Sequence, residues 1–155
     1  MTQEDKMLLI KDLSSRLPYA VHIQHISGFS GTLYDISMHH KYDKNDNVYD
    51  IICYTDFFGD GDSITIEHFK PYLFPLASMT DKQKNEYQYI TERWMNDPAY
   101  SISDSIDWLN KNHFDYRGLI EKGLAIDATG TDIYDVPEEL LWNLIYNGGI
   151  VYEMV

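Results

Sequence analysis

Apolar residues at Met7, Ile10, Leu13 and Leu17 recur at three- and four-residue intervals, which puts them on one face of a helix and predicts that face as core. Thr2-Gln3-Glu4-Asp5 starts this helix, and Pro18 marks where it has ended. After Tyr19 the pattern changes to apolar and polar alternation. Strand-like runs are predicted at residues 19–27, 32–39, 48–55 and 63–69. They are separated by Gly28-Phe29-Ser30-Gly31, Asp43-Lys44-Asn45-Asp46-Asn47 and Gly59-Asp60-Gly61-Asp62. Such clusters turn the chain because Gly and Asn tolerate positive φ and Asp hydrogen-bonds the turn backbone. Short antiparallel strands in this number predict a small, partly open SH3-like barrel or curled sheet.

A junction at Lys70-Pro71-Tyr72-Leu73-Phe74-Pro75-Leu76-Ala77-Ser78-Met79-Thr80 separates this half from a helical one. Pro71 and Pro75 each remove a backbone donor, so the segment is expected to leave the sheet as an extended edge or linker. Thr80-Asp81-Lys82-Gln83 is a capping-box pattern that starts a helix with Gln83, Tyr87, Ile90 and Trp94 on one face, stopped by Asn96-Asp97-Pro98. A second helix, capped by Ser101 or Ser103, carries Ile102, Ile106 and Leu109. Asp115 is expected to cap a third short helix through Leu119 and Ile120 that Gly123 ends, and a last one is expected over residues 137–146, before Asn147-Gly148-Gly149. Ile150-Val151-Tyr152 reads as a strand or an irregular end. The predicted fold is α+β, a single compact domain over residues 1–155: a helix and barrel-like part over 1–76, then three to four helices and an acidic tail over 77–155.

Charge changes the picture of what the chain binds. Twelve Lys and Arg against 25 Asp and Glu give a net charge of −13, which disfavours direct binding of nucleic-acid phosphates. From Asp127 onward there are six acids, Asp127, Asp132, Asp135, Glu138, Glu139 and Glu153, and neither Lys nor Arg. That stretch reads as a solvated face or as a surface for a basic partner. Thirteen tyrosines supply rigid, amphipathic contact area. Tyr34, Tyr42, Tyr49 and Tyr54 are the candidates for an outer sheet face, and with Asp132, Asp135, Glu138 and Glu139 they form the predicted partner-binding set. A single cysteine, Cys53, excludes an intrachain disulfide, and the sequence shows neither a signal-peptide pattern nor an apolar run long enough for a bilayer. A cytoplasmic location and no membrane contact are expected.

Two blocks, Lys70-Pro71-Tyr72-Leu73 with Pro75 and Ser78-Met79-Thr80, then Trp108-Leu109-Asn110-Lys111-Asn112-His113-Phe114-Asp115-Tyr116-Arg117-Gly118-Leu119-Ile120-Glu121-Lys122-Gly123-Leu124-Ala125, carry a family likeness. In them the chain resembles a group of small uncharacterised proteins of gut Bacteroides-type bacteria, their prophages and other mobile elements. The likeness runs from about residue 13 to residue 134. It implies a bacterial or phage protein working inside the cell, and it transfers no catalytic residue.

Candidate chemistry is sparse. His39 and His40 are adjacent and on a strand face opposite ways. A hairpin with Ser27 facing Thr32 would bring His22 and His39 together near Asp35, a weak metal candidate lacking an evident further ligand. Asp56, Asp60, Gly61, Asp62 and Glu67 echo a calcium loop, but Phe58 fills a ligand place and both flanks read as strands. His113, Asp115 and Arg117 offer a base, an acid and a cation within five residues, although Asp115 also fits a helix cap. Ser101, Ser103 and Ser105 lack a nucleophile-elbow context, and Cys53 reads as a buried small hydrophobe. Neither cofactor nor metal is expected. The reading that follows is a non-catalytic protein-interaction module; the alternatives are an acidic nucleic-acid mimic that inhibits a nuclease or DNA-binding protein, and an enzyme with an unfamiliar site.

Overall fold

The computed structural model describes residues 1–42, 47–55, 62–97, 99 and 101–135. The first helix, α1 (Gln3–Arg16), opens with a reciprocal cap. Thr2 Oγ1 accepts the Asp5 amide at 3.1 Å, and the Asp5 carboxylate accepts the Thr2 amide at 3.3 Å. Its inward face differs from the one expected. Met7 is exposed, and the buried stripe is Leu9, Asp12, Leu13 and Arg16, with Ile10 beside it. Two charged residues therefore sit on the core side of the helix.

The sheet is built from β1 (His22–His25), β2 (Ser30–Tyr42), β3 (Asn47–Thr55), β4 (Asp62–Thr65) and β5 (Phe69–Pro75), joined by the two-residue strands β6 (Phe114–Asp115) and β7 (Ile126–Asp127). Strands β4, β3, β2, β1 and β5 are neighbours in that order and antiparallel, whereas β6 and β7 both run parallel to β5. The expected barrel does not close. Among the described residues β4 pairs with β3 and not with β5.

Backbone groups along a strand point alternately to its two sides. On the even-numbered side of β5, the preceding His68 carbonyl accepts the Ile26 amide at 2.8 Å in continuation of the β1 pairing, and Phe74 donates to the His113 carbonyl at 2.8 Å. On the odd-numbered side, the Leu73 carbonyl accepts the Ala128 amide at 2.8 Å. Hence β1 and β6 follow one another along one edge, and β7 takes the other. Pro71 and Pro75 belong to the odd-numbered set, so their missing donors face the β7 edge, where only Tyr72 and Leu73 are paired. The expectation that these prolines expel the segment from the sheet is overturned: β5 is an interior strand whose prolines sit where no donor is required.

One core holds α1 against the sheet. Leu9, Ile10 and Leu13 pack with Val21, Ile23, Leu33, Cys53, Ile66, Phe69 and Leu73, and Leu119, Leu124 and Ala125 complete the cluster from the second half. Both halves thus contribute to the same interior. Beyond β5 the capping box between Thr80 and Gln83 starts α2 (Asp81–Asn96), and Ser101 caps α3 (Ile102–Lys111), both as the sequence predicts. The third helix is absent. Residues 116–125 form turns, and Asp115 accepts the Leu119 and Ile120 amides at 2.9 Å each without a helix behind them. The helix expected at 137–146, the terminal strand, and the first half of the proposed calcium loop lie outside the described residues.

Candidate interaction surface

The residues with the strongest chemical potential are committed to holding the fold. Arg16 grips Asp12 through two bonds of 2.8 and 3.1 Å, and its Nη2 also donates to the Phe114 carbonyl at 2.7 Å. Arg117 Nε approaches the same Asp12 carboxylate at 3.2 Å. The Tyr116 ring lies 5.2 Å from the Arg16 guanidinium and 4.9 Å from that of Arg117, and its hydroxyl donates to Asn110 Oδ1 at 2.8 Å. This network ties α1, α3 and β6 together around one carboxylate. The acid and the cation of the 113–117 stretch are therefore a turn cap and a structural ion-pair partner.

His113 is held at φ 62°, and its ring stacks on Tyr134 at 3.5 Å with 10° between planes. Burial is the main cause that lowers its imidazole to about 4, and the Arg16 and His22 charges push the same way. Tyr134 also meets the His22 ring at 4.9 Å. The Tyr134 hydroxyl receives the His22 amide at 3.0 Å and donates to the Tyr72 carbonyl at 2.6 Å. In the β1–β5 register, where Ile23 faces Pro71 and Gln24 faces Lys70, the next pair is His22 with Tyr72. A side-chain hydroxyl thus stands where a ladder bond between the two strands would be, in the gap between β1 and β6. Burial raises the phenol further above its ordinary range.

The proposed metal set is not assembled by the strand register. His22 pairs with Thr32, with its Nδ1 3.3 Å from Thr32 Oγ1, because the first hairpin turns tightly through Gly28 and not through the longer loop expected. Asp35 lies at a bulge and accepts the Ile36 amide at 2.8 Å, and His39 pairs with Asp50 in the β2–β3 ladder. Glu67 of the calcium-loop pattern is ion-paired to Lys6. Cys53 is buried, which pushes its thiol up to about 12, in keeping with a role as a small hydrophobe. Among the described residues no group of three or more His, Cys, Asp or Glu is placed to hold a metal. A shallow depression of about 200 Å³ is lined by Phe74, Ser78, Thr80, Gln83, Phe114, Thr129 and Gly130, none of them ionisable near neutrality. Ser78 there donates to the Pro75 carbonyl, and Thr80 is spent on its cap.

Among the described residues, the α2–α3 hairpin is the part with the most exposed apolar side chains. None of the described side chains of the 16-residue α2 is buried, although the helix carries Tyr87, Tyr89, Ile90 and Met95. It packs chiefly against α3. Tyr89 is 61% exposed, Met95 67%, Ile102 58% and Ile106 38%. Between the helices a groove of about 330 Å³ is lined by Ile90, Arg93, Asp104 and Trp108. The Arg93 guanidinium lies 5.3 Å from the Tyr89 ring. Behind the groove Tyr87 meets Trp108 at 5.5 Å, Trp108 stacks on Phe114 at 5.7 Å, Phe114 meets Phe74 at 6.2 Å and Phe74 meets Tyr134 at 5.9 Å. This run of rings seats the hairpin on the sheet.

Of the predicted partner-binding set, Tyr34 is exposed on β2, and Asp132 and Asp135 are exposed in the segment after β7. Tyr42 lies on β2 and Tyr49 and Tyr54 on β3, with their side chains outside the described residues, as are Glu138 and Glu139 altogether. The hairpin face was not anticipated as a surface, since its spacing reads as core. No protein-family model, curated protein or solved structure matches the chain. Among the described residues no helix is long and apolar enough to cross a membrane.

Proposed function

We propose that this protein is a non-catalytic protein-interaction module, working inside a bacterial or phage-infected cell, and that its binding face is the α2–α3 hairpin. The observation that carries the reading is a long amphipathic helix with no buried side chain among those described, beside a groove flanked by Tyr, Trp and Arg. Exposed apolar area of this kind on a soluble fold favours a partner, and those three residue types dominate binding energy at interfaces. The surface differs from the acidic one expected from composition. α2 balances Asp81, Glu86 and Glu92 with Lys82, Lys84 and Arg93, α3 adds Asp104 and Asp107 against Lys111, and Asp97 lies between them, so the hairpin carries −2 of the chain's −13. Phosphate mimicry gains less support, because Asp12 and Asp115 are interior and Glu67 is paired.

The test is quantitative capture from a lysate of the encoding cell with wild type, Tyr89→Asp beside the groove and, as a control in the β1–β2 turn, Phe29→Asp, each first shown folded by circular dichroism. A stoichiometric protein held by wild type and Phe29→Asp, and lost from Tyr89→Asp, supports the hairpin as the binding face. Equal capture by all three, or by none, overturns it.

A further inference from the structure

The gap between β1 and β6 is closed by a phenol that rests on a buried base. We infer that Tyr134 is an acid-released clasp: a proton on His113 drives the phenol off the two imidazoles it touches and lets residues 129–135 swing away, while the core between α1 and the sheet stays closed.

The surroundings of His113 are hostile to a positive charge. The ring is 9% exposed, and its Nδ1 is buried with no hydrogen-bond partner among the described residues. The charged and titratable groups that face it are Arg16 from α1, His22 from β1 and the Tyr134 phenol, behind which stands Tyr72 of β5. From α3 the Asn110 main-chain carbonyl accepts the His113 amide at 3.1 Å, and the charged groups of that helix, Asp104, Asp107 and Lys111, are exposed to solvent. Two carboxylates belong to the surrounding network, and both are engaged. Asp12 holds Arg16 and Arg117, and Asp115 accepts the Leu119 and Ile120 amides. A protonated His113 therefore sets a second cation against Arg16, with neither a carboxylate nor an acceptor for the proton on Nδ1.

Relief comes on the Tyr134 side. Arg16 and Phe114 are core residues that cannot yield without opening the interior. Residues 129–135 are bonded mainly within their own stretch: Thr129 to Asp127, Thr131 to Ala128 and the Asp135 amide to the Asp132 carbonyl. The Ala128 amide is fastened to the Leu73 carbonyl, and beyond it the hydrogen bonds that reach the sheet are the two made by the Tyr134 hydroxyl. Releasing one side chain thus frees the stretch and leaves β7 paired. Once freed, the imidazole regains its ordinary 6.5, against about 4 in the closed form. Closing is favoured while the ring is neutral, well above pH 6.5, and is opposed progressively as the pH falls from there toward 4. Between pH 7 and pH 5 the open population should rise about 20-fold.

Residue-resolved amide hydrogen exchange of the full chain, at pH 7 and pH 5 and corrected for the intrinsic pH dependence of exchange, tests the clasp. The His22 amide donates to the Tyr134 hydroxyl and reports on the clasp; the Leu33 amide, bonded to the Val21 carbonyl at 3.0 Å, reports on the core. His22 should exchange faster than Leu33 and, in urea below the unfolding transition, respond to it less, because a local opening exposes little surface. Its protection should fall about 20-fold from pH 7 to pH 5. His113→Asn, which suits the positive φ, should abolish that fall. Should this variant fail to fold, His22→Gln decides, because it removes the other imidazole and keeps the amide, where the fall should persist. Equal protection and equal urea response at the two amides, no fall at His22, a fall that survives His113→Asn, or one that disappears with His22→Gln overturns the clasp.

Discussion

Replacing His113 by Asn should remove an acid-sensitive component of stability that belongs to one ring. His113 is only 9% exposed, and its imidazole sits at about 4 against an ordinary 6.5, so solvent screening takes little from the effect. Well above pH 6.5 the ring is neutral in both folded and unfolded chains, and its contribution is complete. As the pH falls below 6.5 the unfolded chain takes up a proton that the folded one refuses, and stability declines until the folded ring also titrates near pH 4. The full drop corresponds to about 3 kcal/mol, most of it above pH 4.5, and the lowered carboxylates Glu67 and Asp127 contribute alike to both proteins and cancel between them. Asn is the chosen replacement because it tolerates the positive φ of this position. Urea unfolding at pH 7, 6, 5 and 4.5 gives the slope for both proteins. Wild type should lose about 2 to 3 kcal/mol more than His113→Asn across that range. Parallel slopes would refute the assignment.

Other substitutions probe the same interior. Tyr134→Phe leaves the His22 amide and the Tyr72 carbonyl without the hydroxyl between them and should cost about 1–3 kcal/mol, with faster hydrogen exchange at the His22 amide. Asp12→Ala strands two guanidiniums, one of them fully buried, and should destabilise by about 3–5 kcal/mol in denaturant titration, whereas Lys6→Ala, which touches a surface pair, should change stability by less than about 1 kcal/mol. Cys53 should react with a thiol reagent only as fast as the chain opens, so its labelling rate should follow urea concentration; prompt labelling in buffer would contradict its burial.

The parts of the fold legible in the sequence are those decided within a few residues. The caps at Thr2, Thr80 and Ser101 are satisfied by groups two or three positions away, so their residues announce them. Asp115 shows the limit of that logic: it bonds the Leu119 and Ile120 amides as a cap does, yet the chain beyond is drawn into the core by Leu119 and Leu124 and does not continue as a helix. The prolines of β5 misled because their cost depends on what lies across the strand, and a two-residue β7 leaves those positions unpaired. Asp12 and Arg16 were legible in retrospect, since they occupy the same three-four spacing as Leu9 and Leu13. Periodicity counted on apolar residues alone passed over them. The proposed binding face was hidden for the opposite reason, because apolar residues at helical spacing, such as Tyr87 and Ile90 on α2, read as core whether their cover is in the chain or in another molecule. For Tyr134 the sequence held no local signal.

The Tyr134 hydroxyl between β1 and β5 also sets a timetable for synthesis. A seam in the middle of the sheet is completed by a residue 112 positions after His22, and the β6 and β7 strands beside it lie nearly as far downstream. The helix and first five strands emerging from the ribosome therefore lack the groups that finish their own sheet. Such distant pairing slows folding and prolongs the exposure of strand edges. The nascent protein should stay unprotected against proteolysis until the chain through Tyr134 has left the exit tunnel, and a truncation before that residue should fail to fold as a smaller version of the same domain.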